Sequence, residues 1–338
     1  MYTFKEIIGQ EGIVSHLQNA LRTGSISHAY ILNGETGTGR RTIARTYAAA
    51  LQCASLTEKD GLLEPCGSCI SCMQLQGDNQ PDIITVRKDP DRKSGPGVDL
   101  IRRMRSDIQV RPYAGQYKIY IVEDAQQMTV QAQNALLKVL EEPPSYAVIM
   151  LIADGLTGFL PTILSRCVVL QVRQLRDEDV VNALLERTDA DPERARITAR
   201  SVGGNLGRAL QLCGDEAFME RRRHTVGLLK KLRRATAQDL REFASELDAG
   251  ARSDFLSFAA MWYRDILVCK STGNADHLIF EEEVQYIKEN ASRLSYEALS
   301  QILEAMDSVD RSLKANVNPE MVMQVLLLRL REAERGQQ

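Results

Sequence analysis

The sequence lacks the features that mark membrane, secreted and strongly basic proteins. Its longest clear apolar run is the stretch YAVIMLIA, which is far shorter than the roughly 20 residues that a membrane-spanning helix needs. The first residues, MYTFKEIIGQEG, do not follow the basic-then-apolar order of a signal peptide. A net charge of −3 excludes an overall basic surface for nucleic acid. We therefore expect a cytoplasmic protein without membrane contact, in which any DNA contact is local or shared with other chains.

The chain is long enough for two or three domains, since 338 residues exceed the size of one typical domain. Its first half alternates short apolar runs with helical patterns, which predicts a parallel sheet with crossover helices. The strand patterns end at about residue 173, and from about residue 215 every segment has helical spacing. We predict an α/β domain, a small helical domain and a larger all-helical domain, with the bounds 1–172, 173–213 and 214–338.

Five strands are predicted in the first half of the chain. They are HAYILN (28–33), DIITV (82–86), KIYIVED (118–124), AVIMLIAD (147–154) and CVVLQV (167–172). Strands that alternate with helices form a doubly wound sheet, and such sheets bind ligands at the carboxyl ends of their strands. The helix predicted at 129–142 places four apolar residues on one side, namely Val130, Leu136, Val139 and Leu140.

The stretch GETGTGRRT, which begins at Gly34, directly follows the first predicted strand. A phosphate-binding loop has the pattern G-x-x-x-x-G-K-[ST], in which the lysine reaches the phosphates and Ser or Thr holds magnesium. Gly37 and Gly39 complete the glycine pattern. Arg40, however, stands at the lysine position, and Arg41 stands at the position of the magnesium ligand. Because a cation cannot coordinate magnesium, one metal ligand is lost.

Four of the seven cysteines follow the pattern C-x12-C-x2-C-x2-C. Four thiolates can enclose one tetrahedral zinc ion, and short spacings let neighbouring sulfurs turn toward the same ion. Disulfides are disfavoured because an intracellular chain keeps its thiols reduced, and a redox dithiol does not explain four cysteines. We predict one structural zinc ion, in an insertion at about 52–78, held by Cys53, Cys66, Cys69 and Cys72.

Several stretches together resemble the bacterial clamp-loader subunits, which are AAA+ proteins of the DNA polymerase III holoenzyme. They are IIGQEGIVSHLQNALRTGSISHAYILNG, the cysteine insertion, VQAQNALLKVLEEPP, LPTILSRC and GGNLGRAL. The resemblance covers the whole chain in order. It implies an α/β P-loop (AAA+) domain with a parallel sheet and a zinc-knot insertion, followed by a small helical lid domain and an all-helical collar domain.

Within that family the ATPase subunits keep an intact phosphate-binding loop, and this chain departs from their pattern. The ATPases have Asp then Glu where this chain has Glu123 then Asp124, and they have a sensor threonine near Ala153 and Asp154. Hydrolysis depends on charges positioned around the γ-phosphate. The resemblance therefore implies a subunit that does not turn over ATP. Nucleotide binding stays open because the glycine loop, which continues into Thr42, is kept.

The resemblance also implies roles for two arginines. Arg166 in LPTILSRC matches the family's arginine finger, which would act on ATP held by a neighbouring subunit. A surface arginine that caps the preceding helical turn is the alternative. Arg208 in GGNLGRAL matches the second sensor arginine, and a salt bridge within the lid is its alternative. The basic run at 220–234 favours a solvated helix face over contact with DNA or an acidic partner.

The sequence thus predicts a non-hydrolysing clamp-loader subunit, which belongs to a DNA polymerase complex but is not an enzyme on its own. It would pack through its collar into a hetero-pentameric ring with delta and gamma/tau subunits, and help to load the sliding clamp onto primed DNA at the nucleoid. One alternative is an ATP-hydrolysing subunit of the gamma/tau type that uses Arg40 in place of lysine. A free-standing zinc-dependent DNA-binding protein has little support, because few basic residues surround the cysteines.

Overall fold

The protein is described here by a computed structural model, which covers residues 2–88, 95–275, 278–315 and 317–336. The chain divides into two compact units. The first comprises Met1–Ala183 with Gly203–Arg208, and the second comprises Leu184–Val202 with Ala209–Gln338. Residues 173–213, which the sequence assigns to a lid domain, are thus shared between the two units. The three predicted domain bounds stay a prediction.

The first unit contains every strand that the structure describes. The strands are β1 Ala29–Asn33, β2 Thr57–Lys59, β3 Leu62–Glu64, β4 Ile83–Val86, β5 Lys118–Val122, β6 Ala147–Ala153 and β7 Val168–Gln171. The helices up to residue 187 are α1 Glu11–Thr23, α2 Arg40–Gln52, α3 Ile70–Gln76, α4 Val98–Asp107, α5 Val130–Glu141, α6 Pro161–Leu164 and α7 Asp177–Arg187. Short 3-10 turns lie at Phe4–Glu6 and Ala125–Gln127.

Five parallel strands form the central sheet, in the order β4-β5-β6-β1-β7. Strand β1 lies between its two neighbours so that Tyr30 is level with Met150 of β6 and with Val168 of β7. Every residue of β1, β5 and β6 is buried, as expected where helices cover both faces of a parallel sheet. The predicted α/β class and all five predicted strands are confirmed.

Helix α5 packs against one face of the sheet through Leu136, Val139 and Leu140, which are buried as predicted. Val130 does not belong to this set, because it is 59% exposed. An α-helix turns through one revolution every ~3.6 residues, so Val130 points roughly half a turn away from Val139. The prediction that Val130 shares the apolar side was therefore wrong.

Strands β2 and β3 form a two-stranded antiparallel hairpin within the insertion, which the sequence analysis did not predict. Each strand is only three residues long, too short to show an alternating pattern. The hairpin is fixed to the rest of the unit by Glu64, whose carboxylate accepts hydrogen bonds from the backbone N–H groups of Phe4 at 2.7 Å and Lys5 at 2.9 Å. The insertion is therefore anchored to the start of the chain.

The second unit is helical throughout the part of it that the structure describes. Its helices and those leading into it are α8 Pro192–Ser201, α9 Leu206–Cys213, α10 Glu216–Lys231, α11 Ala237–Glu246, α12 Ala249–Thr272, α13 Val284–Arg293, α14 Tyr296–Lys314 and α15 Pro319–Arg335, with 3-10 turns at Leu232–Arg234 and Glu281–Glu283. Phe255, Phe258 and Trp262 of α12 are buried in the core of this unit. None of the helices described is both long and apolar enough to cross a bilayer.

Asp265 of α12 is a fully buried carboxylate in the core of the second unit. It accepts hydrogen bonds from the backbone N–H groups of Ile279 at 2.6 Å and Phe280 at 2.9 Å, and from Arg264 Nη1 at 2.9 Å. Burial raises the pKa of Asp265, and the two backbone N–H groups oppose this rise. The carboxylate thus holds the segment that leads into α13 against α12.

We predict that Asp265→Ala destabilises the second unit by about 2 kcal/mol or more, because a buried donor left without a partner costs ~1–3 kcal/mol. The measurement is urea unfolding followed by the fluorescence of Trp262, which is the one tryptophan of the chain and lies in the same unit. Asp307→Ala, which removes an exposed carboxylate from α14, is the matched control. Equal unfolding midpoints for the two variants would contradict the role assigned to Asp265.

Candidate functional site

The glycine loop lies at the edge of the sheet where the parallel strands end, between β1 and α2. The backbone N–H of Gly34 donates to the carbonyl of Ala153, the last residue of β6, at 3.0 Å. Gly37 and Gly39 both have a φ of +94°, a conformation that glycine adopts without steric cost. Helix α2 begins at Arg40, so its first N–H groups face the loop. The predicted order of strand, loop and helix is confirmed.

Arg40 is folded back into this loop and is only 8% exposed. Its Nη2 donates to the hydroxyl of Thr36 at 3.0 Å. Burial lowers the pKa of Arg40, while the charges of Asp154 and Asp124 act in the opposite direction. A guanidinium stays protonated in proteins, so the loop contains a fixed positive charge at the position of the usual lysine.

Arg41 and Arg87 enclose the carboxylate of Glu123, which directly follows β5. Arg41 Nη2 lies 2.7 Å from one carboxylate oxygen of Glu123, and Arg87 Nε lies 3.2 Å from the other. The side chain of Glu123 is 8% exposed, whereas both arginines are more than half exposed. Each oxygen of this carboxylate is therefore paired with a guanidinium of the chain.

The remaining predicted loop residues surround this ion triad. Asp124 has a φ of +51°, and its carboxylate lies 4.0 Å from Lys88 Nζ. Thr42 is exposed in the first turn of α2. The site therefore pairs two acidic residues with cations from α2 and from the residues that follow β4.

Asn205, just before α9, and the first turn of α9 contact the loop directly. Asn205 donates through Nδ2 to the carbonyl of Thr36 at 2.7 Å, and the backbone N–H of Gly207 donates to the carbonyl of Gly37 at 2.9 Å. A Cβ atom on Gly37 would lie 2.2 Å from Asn205 Oδ1, so this approach requires glycine. Arg208, the predicted sensor, donates its backbone N–H to Asn205 Oδ1 at 3.0 Å. The structure thus brings Arg208 next to the loop segment.

Arg87 and Asn205 are not among the predicted site residues. Arg87 directly follows β4, the neighbour of β5 in the sheet, so knowledge of the strand order would have placed it beside Glu123. Asn205 lies inside the motif GGNLGRAL, which was noted only for its arginine. Both residues act through contacts between distant parts of the chain.

Arg166 lies between α6 and β7, and its guanidinium contacts three acceptors of its own chain. Nη1 donates to the carbonyl of Thr162 at 3.1 Å and lies 3.4 Å from the hydroxyl of Ser165, while Nη2 lies 3.1 Å from Glu141 Oε1. The contact with Thr162 caps the short helix α6. The side chain is 36% exposed, so it remains reachable from solvent.

Arg166 lies at the amino ends of the parallel strands, whereas the glycine loop lies at their carboxyl ends. It precedes β7, whereas the loop follows β1, and these two strands are parallel, with Tyr30 level with Val168. A parallel strand rises by ~3.3 Å per residue, so the length of β1 separates the two positions by roughly 15 Å. The structure does not bring Arg166 together with the other predicted site residues.

The four cysteines of the insertion converge, with all their sulfur atoms within 4.8 Å of one another. In a tetrahedral zinc site with Zn–S distances of ~2.3 Å, neighbouring sulfurs lie roughly 3.8 Å apart. Small shifts of the four sulfur atoms would therefore bring them to the spacing of such a site. Backbone N–H groups donate to two of the sulfurs, from Cys66 to Cys53 at 3.2 Å and from Cys69 to Cys66 at 3.3 Å. The residues present therefore fit one metal ion.

Hydrogen bonding also prepares one of these thiols for metal binding. The backbone N–H groups of Ser68 and Cys69 lower the pKa of Cys66 to about 6, whereas burial raises the pKa of Cys72. The thiolate is the form that binds metal. Away from this cluster, Cys213 and Cys269 are buried and Cys167 is partly buried.

The basic run at 220–234 is only partly solvated. Arg222 is buried, pairs with Glu282 and lies over the ring of Phe280, 4.7 Å from its centroid. Lys230 lies 2.8 Å from Glu283. The prediction of a solvated helix face therefore does not hold for Arg222, because the run also supplies internal ion pairs of the second unit.

Two family models match the chain. One, described as DNA polymerase III, delta subunit, matches residues 9–176, and the other, described as its C-terminal part, matches residues 216–332. The chain is similar to DNA polymerase III subunit delta' of Bacillus subtilis (strain 168), with 29% identity over 96% of each protein. It is also similar to subunit tau of Escherichia coli (strain K12), with 33% identity over 64% of this chain and 33% of tau.

Solved structures give weaker likenesses. A DNA polymerase III gamma subunit-related protein of Thermotoga maritima is 22% identical over 94% of this chain and 99% of that one, with a TM-score of 0.46. The Holliday junction branch migration motor RuvB of Thermotoga maritima is 12% identical over 80% of this chain and 78% of that one, with a TM-score of 0.41. Because both TM-scores are low, these two likenesses add nothing to the assignment.

Proposed function

The chain belongs to the DNA polymerase III delta subunit family, and from that premise we propose that it is a delta-prime-like clamp-loader subunit that does not hydrolyse ATP. The observation that carries the proposal is the ion triad at the end of β5. In P-loop NTPases, Mg²⁺ bridges the phosphates and is held by a Ser or Thr of the loop and by an acidic residue. In this chain Arg41 replaces the hydroxyl ligand and also occupies the Glu123 carboxylate at 2.7 Å.

The three glycines of the loop are kept, so the backbone that would surround a phosphate is retained. What this chain lacks is the hydroxyl ligand for Mg²⁺. Arg40 keeps a positive charge in the loop, but its planar fork differs from an ammonium group in shape and hydrogen bonding. The alternative of an ATP-hydrolysing subunit would need Mg²⁺ to displace a guanidinium from a buried carboxylate. We therefore favour a loop that, if it takes a nucleotide, does so without turnover.

We predict that the purified chain releases no phosphate from ATP and that magnesium does not strengthen ATP binding. Both are measured on the chain alone, by phosphate release and by calorimetry with and without magnesium. The double variant Arg40→Lys/Arg41→Thr restores the loop pattern and frees one oxygen of Glu123, while Arg87 stays on the other, so it should gain magnesium-dependent binding. Magnesium-dependent turnover by the unmodified chain, abolished by Arg40→Ala, would instead establish the ATP-hydrolysing alternative.

Arg166 is proposed to act on ATP that a neighbouring subunit binds. Its position at the edge of the sheet opposite the glycine loop, roughly 15 Å away by the rise of β1, keeps it from the loop of its own chain. An arginine supplied in trans stabilises the charge that develops on a transferring phosphoryl group. Nη1 contacts Thr162 and Nη2 contacts Glu141, and a phosphate can replace both contacts because it offers arginine charge-assisted hydrogen bonds.

Arg166→Ala is expected to lower turnover by about 10³–10⁵ at the one ATP site that the arginine serves, and so to lower the summed ATPase rate of the reconstituted clamp-loader complex by the share of that site. Other ATP sites in the complex limit the loss in the summed rate. Arg173→Ala, which removes an exposed arginine beyond β7, is the matched control. An unchanged rate with normal complex assembly would refute the finger assignment.

The metal of the cysteine cluster is proposed to be zinc, held by Cys53, Cys66, Cys69 and Cys72. Four thiolates leave no coordination position for water, so such an ion stabilises the insertion and takes no part in a reaction. The cluster lies between the end of α2 and the first turn of α3, and in α3 only Cys72 and Leu75 are buried. A metal would supply the stability that the short hairpin β2–β3 lacks.

Metal analysis of the purified, reduced chain should find one zinc ion per chain. Cys66→Ser should lose most of that zinc, since a hydroxyl does not replace a thiolate ligand. Cys269→Ser, which changes a buried cysteine of the second unit, should keep it. Absence of zinc from the unmodified chain, after purification without chelators, would rule out the proposed metal.

The partners and location follow from the family. We propose that the all-helical region at 214–338 is the collar that joins delta and gamma/tau subunits in a hetero-pentameric ring, with 173–213 as the lid. On this view the protein is cytoplasmic and works at the nucleoid, where the complex places the sliding clamp on primed DNA. On this view the chain supplies the arginine finger and a rigid surface, while other subunits hydrolyse the ATP.

A further inference from the structure

Glu141 holds the guanidinium of Arg166 against its own chain. Glu141 is the last residue of α5, and Arg166 follows α6, so the contact joins two separate elements of the first unit. Glu141 Oε1 lies 3.1 Å from Arg166 Nη2. The carbonyl of Thr162 and the hydroxyl of Ser165 accept from Nη1. All three acceptors therefore belong to the chain that carries the arginine.

This arrangement folds the guanidinium back over the short helix α6. Thr162 lies four residues before Arg166, so a side chain that donates to its carbonyl runs alongside the chain that precedes it. A finger that reaches a neighbouring subunit must instead extend outward. The two positions of the guanidinium are exclusive, because Nη2 cannot lie against Glu141 and point away from the chain at once.

The contact with Glu141 is weak enough to be exchanged. Its carboxylate is 50% exposed and the Arg166 side chain is 36% exposed, and ion pairs between exposed side chains contribute little stability. Phosphate oxygens offer arginine two parallel charge-assisted hydrogen bonds. A phosphate at the subunit boundary can therefore replace Glu141 as the partner of the guanidinium.

We propose that Glu141 is a positioning residue that restrains Arg166, and that the arginine exchanges this carboxylate for a phosphate of the neighbouring subunit when it acts. The proposal rests on the trans role proposed above for Arg166. It assigns Glu141 a function beyond ending a helix, since this ion pair then sets how readily the Arg166 guanidinium moves to a phosphate of the neighbouring subunit. Losing the carboxylate should make delivery easier.

The test is the ATPase activity of the reconstituted complex with four versions of this subunit: unmodified, Glu141→Gln, Arg166→Ala and the double variant. Glu141→Gln keeps the side-chain shape and removes the charge. It should raise kcat by about two- to fivefold, the range that an exposed ion pair supports, and leave KM for ATP unchanged. In the Arg166→Ala background the same substitution should have no effect. Glu142→Gln, which neutralises the adjacent exposed carboxylate, should match the unmodified subunit.

The outcomes separate the two proposals. If Arg166→Ala leaves the rate unchanged, the finger assignment fails and the role of Glu141 falls with it. If Arg166→Ala lowers the rate but Glu141→Gln does not raise kcat, the restraint alone is refuted. An equal change from Glu141→Gln with and without Arg166 would also refute it, because the effect would then not pass through the arginine.

Discussion

A buried carboxylate needs a cationic partner, and at the end of β5 this requirement decides the chemistry of the glycine loop. Glu123 is nearly inaccessible, and a charge held in that position is costly unless it is paired. In a working ATPase a metal ion and its bound phosphates would supply the positive charge. Here two guanidinium groups supply it, from Arg41 on α2 and from Arg87 after β4.

Because the strands are parallel, the first unit carries charged groups at two separate places, one at the carboxyl ends of the strands and one at their amino ends. Parallel strands bring all their carboxyl ends together, so the loop, Glu123, Asp124 and Asp154 share one edge. The turn that carries Arg166 enters the sheet at the other edge. A protein built in this way can lose chemistry at one edge and keep a charged group for use at the other. The ion triad and the proposed finger are thus independent features of one sheet.

The sequence predicted the fold class well because its signals are local. Apolar runs and helical periodicity gave the five strands of the sheet, and the cysteine spacing indicated a cluster that the structure brings within 4.8 Å. The prediction failed where a segment was too short to show a pattern, or where it depended on the angle between two residues around a helix axis. The hairpin β2–β3 has strands too short to show a pattern, and Val130 was assigned to a face that lies about half a turn away.

The sequence by itself determined which charges and ligands the chain carries: arginines where a lysine and a hydroxyl stand in the ATPases, four cysteines at metal-binding spacing, and an arginine after LPTILS. Only the tertiary structure decided which of these groups meet. Strand order places Arg87 beside Glu123, the approach of Asn205 to the loop depends on Gly37, and Glu141 reaches Arg166 from another helix. These contacts join residues far apart in the chain, and local patterns carry no information on such distances.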